Sequence, residues 1–280
     1  MQLHRDRYPG QPVLDTAVSH AMLRRVAKGD APDSLRLYRP DDALLFSSLD
    51  ARRRGYARAL ELARAAGFEP VIRLAGGHAA AFLESSLAFA WATADPDAPL
   101  HIRARFERLS GWVVAALRRL GLDARVGEVA GEYCPGEFSV NLGGRIKVMG
   151  VGQRVIRGGA HVGGVITVAD TGRLREVLVP IYAALELDFR PETAGGIADV
   201  DPQLTAEMLI EAIAAVLRGE GISLVAKPFD PAIEDEAETL RSFHTPGPAP
   251  DPSTEARSHS TAPSATTNAG HTKALLHTEE

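Results

Sequence analysis

Apolar positions along the chain follow two periods. At helical spacing they run from Leu14-Asp15-Thr16, with Asp15 placed to cap the helix and Gly29 to close it. Ser34 to Tyr38 and Ala43 to Phe46 read as short strands split by a Pro40-Asp41-Asp42 turn, and Leu49 to Ala66 as a long helix ended by Gly67. Val71 to Leu74 is a strand running into Gly76-Gly77, Leu87 to Trp91 is another, and Ile102 to Leu120 is an amphipathic helix ending at Gly121. A β-rich stretch follows. Phe138 to Leu142 and Arg145 to Val155 form a hairpin around Gly143-Gly144, and Gly158-Gly159 turns the chain into a strand from Val162 to Val168. Leu174 to Leu185 and Thr205 to Leu217 are helical, the first kinked or delayed by Pro180, and Ser223 to Ala226 is a last strand. Paired strands with helices between them predict a mixed α/β or α+β sheet with helices on one side.

Composition sharpens this picture at a few points. The 280 residues are 45% hydrophobic and 24% charged, enough to bury a core without disulfides. Cys134 is the lone cysteine, which fits a reducing compartment. No apolar run approaches the ~20 residues of a membrane span or forms a signal segment, so neither secretion nor membrane insertion is expected, and a cytoplasmic location is. The net charge of -5 is uneven. From Pro231 on there are eight acidic and three basic residues, which leaves 36 − 8 = 28 acids and 31 − 3 = 28 bases before it. A neutral body argues against nucleic-acid binding. Residues 1–230 therefore read as one catalytic domain. Residues 231–280, acidic and then rich in Pro, Ser and Thr, read as a disordered tail whose removal after about Ser242 should leave stability and activity unchanged. The tail's histidines, His244, His259, His271 and His277, are too dispersed for a metal tract, and no metal site is predicted.

Four segments could carry chemistry. In Arg73-Leu74-Ala75-Gly76-Gly77-His78-Ala79, paired glycines let backbone N–H groups approach an anion beside an arginine, although Gly-Gly is also an ordinary turn. Lys147 is one of only four lysines and sits in a glycine-flanked apolar strand, where strand alternation sets it on one face with Arg145 and Met149. It either snorkels from an edge strand or points its ammonium into a cleft. Cys134, in Tyr133-Cys134-Pro135-Gly136, is either an inert buried thiol or a nucleophile, with His78 or His161 as spatial neighbours. Gly158 to Gly164 holds His161 in a glycine-rich hairpin. There is no Walker loop, zinc-ligand pair or Gly-x-Ser-x-Gly elbow.

Taken in this order, the segments resemble the biotin/lipoate protein ligase family, in its lipoate ligase and octanoyltransferase branch. Arg73 to Ala80 is similar to that family's Arg-x-Ser/Thr-Gly-Gly-Gly/Arg-Ala-Val loop, with His78 at the third glycine or arginine. Gly144 to Gln153 is similar to its Gly-Arg-Lys-Ile-x-Gly-x-Ala-Gln segment, with Lys147, Gly150 and Gln153 in register. The likeness runs from Asp15 to Gly221. It implies a class II aminoacyl-synthetase-like/biotinyl-protein-ligase fold, a mixed and largely antiparallel sheet with packed helices. It also implies an enzyme that uses ATP and Mg2+ to make an acyl-adenylate of lipoate or octanoate. The acyl group then passes to a lysine of a carrier, a lipoyl domain of a 2-oxoacid dehydrogenase complex or the glycine cleavage H protein. On that resemblance Arg73, Gly76, Gly77, His78, Ala79, Gly150, Gln153 and His161 bind substrate and adenylate, and Lys147 stabilises the developing charge. Ala79, Ala80 and Gly150 leave room for the acyl chain. A second implied activity is an ATP-independent transferase that takes octanoyl from acyl-carrier protein onto Cys134. A third possibility is a non-catalytic acyl-binding module. The Pro135-Gly136 turn and the lack of a neighbouring base favour the ligase.

Overall fold

The structure, a computed structural model, describes residues 1–247. In chain order the elements are β1 (Gln2–His4), α1 (Pro12–Lys28), β2 (Ser34–Tyr38), β3 (Ala43–Phe46), α2 (Tyr56–Ala65), β4 (Glu69–Ile72), β5 (Ala80–Phe82), β6 (Leu87–Ala94), α3 (Ile102–Arg119), β7 (Ala124–Val126), β8 (Val140–Leu142), β9 (Ile146–Ile156), β10 (Gly159–Ile166), α4 (Thr171–Ala184), α5 (Ala206–Gly219), β11 (Val225–Ala226) and α6 (Pro231–His244). Eight strands form one sheet in the order β11-β1-β2-β6-β10-β9-β8-β7. β11, β1 and β2 pair parallel and every other neighbour antiparallel. A second sheet, β4-β3-β5, carries the loop from Arg73 to Ala79 between two of its strands.

Alternation along β6 shows why helices cover both faces of the large sheet, not one side as the element order suggests. Leu87, Phe89 and Trp91 join the core under α3 and α5. Ala90 and Ala92 point the other way, and their small side chains let α1 and then α6 lie close to the strand. In the small sheet, Leu44 and Phe46 pack on α2 and α4, while Ala43 and Leu45 face Val13 of α1.

Three local expectations are corrected. Asp15 is not a cap: α1 begins at Pro12, and Asp15 turns inward to pair with the fully buried Arg36. The helix expected from Leu49 to Ala66 is interrupted: Asp50–Arg52 is a single 3-10 turn, and α2 starts only at Tyr56. Gly55 lies in the break against α4, where a Cβ would stand 1.6 Å from the Ala184 carbonyl oxygen. Residues 231–244, expected to lie in the tail, form a helix. α6 is a capped helix, with Asp230 Oδ1 accepting the Ala232 N–H at 2.9 Å, and it buries Ile233, Ala237, Leu240 and His244 against α1. The segment expected to be disordered from Thr245 to Thr272 lies, from residue 248 on, outside the described residues. Among the described residues no helix is long and apolar enough to cross a membrane.

Candidate active site

The loop after β4 and the turn before β8 meet at Cys134. Gly77 has a φ of +104°, and a Cβ there would come within 2.8 Å of the Cys134 sulfur, so only glycine fits. This close approach lets the His78 N–H donate to Sγ at 3.2 Å. Arg73 Nη1 donates to the His78 carbonyl at 2.8 Å and faces the same sulfur at 3.6 Å. Cys134 itself has a φ of +42°, in the left-handed region that a residue with a side chain adopts at a cost. Its N–H donates to Tyr182 Oη at 2.7 Å, and the Tyr182 hydroxyl donates to the Ala79 carbonyl at 2.8 Å. Burial alone would raise the thiol. The charges of Arg73 and Lys147, with the His78 and Arg73 hydrogen bonds, outweigh it and hold the thiol below its ordinary value.

Lys147 neither snorkels nor lines an open cleft. β9 lies inside the sheet, and the side chain is fully buried. Its Nζ donates to Glu132 Oε1 at 2.9 Å, to the Tyr133 carbonyl at 2.8 Å and to the Cys134 carbonyl at 2.7 Å. Glu132 also accepts from Ser139 Oγ at 2.6 Å and the Val129 N–H at 2.9 Å. A register shift between β8 and β9 re-aims the lysine. Met149 consequently enters the main core, whereas Lys147 lies beside Gly150, whose missing Cβ would stand 3.5 Å from Lys147 Cε.

The remaining expected site residues divide. His78 and Gly77 meet at the sulfur, and Gly76 completes their loop. His161 lies with Arg73 in an open pocket, roofed by α1 and lined by Tyr38, Leu45, Phe82 and Phe89. Gln153 is not brought to the site. It extends from the opposite side of β9 to Gly152, accepting from Arg105 Nε at 2.6 Å and donating to the Ile102 carbonyl at 3.1 Å. Ala79 and Ala80 are packed in the core under α2 and α4 and leave no space for a chain. The sequence reading missed Glu132, Tyr182 and Asp50. Only Glu132 gave a signal, as an acid immediately before Tyr133-Cys134.

The cations assigned to an ATP-derived phosphate are both committed, Lys147 to the Glu132 turn and Arg73 to His78 and the sulfur. Among the described residues no three acidic, histidine or cysteine side chains gather where a metal ion could be held. This arrangement favours the thiolate form of Cys134.

Residues 11–218 match the lipoyl protein ligase A/B catalytic domain. The chain is 27% identical over 202 residues to an octanoyl-GcvH:protein N-octanoyltransferase of Bacillus velezensis, covering 70% of each protein. It is 25% identical over 163 residues to the Geobacillus kaustophilus protein of that name, covering 58% of this chain and 57%, a little over half, of that relative. Its backbone superposes on a crystal structure of lipoate-protein ligase A bound with ATP with a TM-score of 0.71 at 22% identity, covering 86% of this chain and 94% of that one.

Proposed function

The chain belongs to the lipoyl protein ligase A/B catalytic-domain family, and on that premise we propose that it is an octanoyltransferase working through a thioester on Cys134. The acyl donor is an octanoyl-lysine of a glycine cleavage H protein, and the acceptor is a lysine of a lipoyl carrier domain. One observation carries this reading: the Cys134 sulfur sits among the His78 N–H, the Arg73 guanidinium and the charge of Lys147, which together favour its thiolate form. The relatives named octanoyl-GcvH:protein N-octanoyltransferase support the same choice.

The pocket beneath α1 takes the C8 chain, where each buried CH₂ contributes about 0.8 kcal/mol. Arg73 lines that pocket and also faces the sulfur, so a chain seated there presents its carbonyl to Cys134. The thiolate attacks the carbonyl carbon, the lysine nitrogen of the donor leaves, and a second lysine nitrogen takes the acyl group from sulfur. Lys147 keeps the Cys134 turn in its strained form and adds positive charge beside the sulfur. No adenylate is needed, since the acyl group arrives already attached to a carrier.

The test is intact-mass spectrometry after mixing with octanoylated H protein, without ATP. An adduct of octanoyl mass that hydroxylamine removes, absent in Cys134→Ser, is expected. Carrier labelling only with octanoate, ATP and magnesium, unaffected by Cys134→Ser, would replace this reading with the ligase.

A further inference from the structure

We propose, resting on the acyl-transfer reading above, that His78, oriented by Asp50, is the proton carrier for the two lysine nitrogens. An amide does not release its nitrogen as an anion, so thiolate attack on octanoyl-lysine needs a proton delivered to the leaving amine. The other groups around Cys134 are poorly suited. All three bonds of the Lys147 ammonium are taken by Glu132 and two carbonyls, and the Tyr182 hydroxyl is given to Ala79. Arg73 stays charged throughout.

His78 differs from them. Its Nδ1 stands 2.9 Å from Asp50 Oδ1, and Asp50 is fully buried. The second oxygen of Asp50 accepts the Ser47 N–H at 2.9 Å and the Ser47 hydroxyl at 3.2 Å, which fixes the carboxyl in place. Facing that carboxylate, Nδ1 carries the hydrogen, and Nε2 is the nitrogen left to exchange protons. The imidazole is rooted at the nucleophile, because the His78 main-chain N–H is the one bonded to the Cys134 sulfur. Its side chain is 26% exposed, so a carrier lysine has access to it. The nucleophile, a histidine whose main chain meets its sulfur, and a carboxylate that orients that imidazole thus lie in one loop cluster.

The proton count closes over one cycle. The C–S bond forms, the C–N bond breaks, and Nε2–H of the imidazolium passes to the departing nitrogen, leaving neutral imidazole and free lysine. The acceptor amine then attacks the thioester. Its C–N bond forms, the C–S bond breaks to restore the thiolate, and the nitrogen's surplus proton returns to Nε2.

Two donors with different leaving groups test this. His78→Asn keeps a hydrogen-bond donor for Asp50 but cannot carry a proton. With octanoylated H protein its transfer should fall by about 100-fold or more. With p-nitrophenyl octanoate, whose phenolate leaves without a proton, acylation of Cys134 should be unchanged. Added imidazole should restore transfer in His78→Ala. Wild-type transfer by His78→Asn, or an equal loss with both donors, overturns the proposal. Absence of any Cys134 adduct in the wild-type protein is a failure of the acyl-transfer reading itself and is seen before a variant is made.

Discussion

A buried ammonium persists only where its charge and its hydrogens are matched, and removing one partner leaves the other charge uncompensated. Lys147 and Glu132 are both fully buried and 2.9 Å apart. Lys147→Ala should therefore do more than stop transfer: it should destabilise the protein by about 3–5 kcal/mol. Combining Lys147→Met with Glu132→Gln should recover much of that loss. Urea unfolding of the three proteins checks this, and a single-variant cost below about 1 kcal/mol would mean that the pair is structurally idle. The unusual setting of Lys147 was legible as a scarce lysine in an apolar strand. Its partner was not, because Glu132 is fifteen residues away and meets it only through the register shift at β8 and β9. The same limit hid Asp50, which becomes a site residue only when the β3 side of the small sheet meets the Arg73 loop.

At the level of elements, long periodic segments were readable and some of the shortest strands were not. α3 and α5 carry an apolar stripe over several turns, whereas β1, β5 and β7 have three residues each, too few to show any period, and exist through their neighbours. α6 was legible but masked. Ile233, Ala237, Leu240 and His244 fall at helical spacing, yet the intervening Glu234, Asp235, Glu236 and Glu238 gave the segment the composition of a tail. The helix also reaches the site. His244 Nδ1 bonds the Ile72 carbonyl at 2.8 Å, one residue before Arg73. A chain cut after Asp230 should be less stable than one cut after Gly247 by roughly 3–6 kcal/mol, from Ile233 and Leu240 alone. It should also transfer poorly, because β4 loses its brace. A cut after Ser242 removes the His244 contacts and the Phe243 ring beside His20 and should give a smaller but measurable drop in melting temperature. Equal melting temperatures for the three chains would show that α6 adds nothing.

At the scale of the whole molecule, α1, α6 and β10 bring three histidines together beside the acyl pocket. His20 Nδ1 lies 3.1 Å from His244 Nε2, and His161 lines the pocket with neither ring nitrogen partnered. Burial, then the charges of His20 and His244, pushes His161 down to about 3. Burial, then His244 and Arg24, pushes His20 down to about 4, and burial lowers His244. In the unfolded chain each returns to about 6.5. Between those values the unfolded chain binds protons that the folded chain refuses, so stability falls as the pH drops below about 6.5. His161 is 5% exposed, and its share approaches about 1.4 kcal/mol for each pH unit. His20 is partly exposed, so its share is smaller. Asp15, which burial raises against the opposing charge of Arg36, acts in the reverse sense and makes the total slope a poor measure. The difference between wild type and His161→Leu cancels Asp15 and leaves the histidine. In urea unfolding from pH 7.5 to 4.5, that difference should be constant above pH 7 and should then move against the wild type as the pH falls. Parallel curves over the whole range would mean that His161 is as protonated in the folded chain as in the unfolded one.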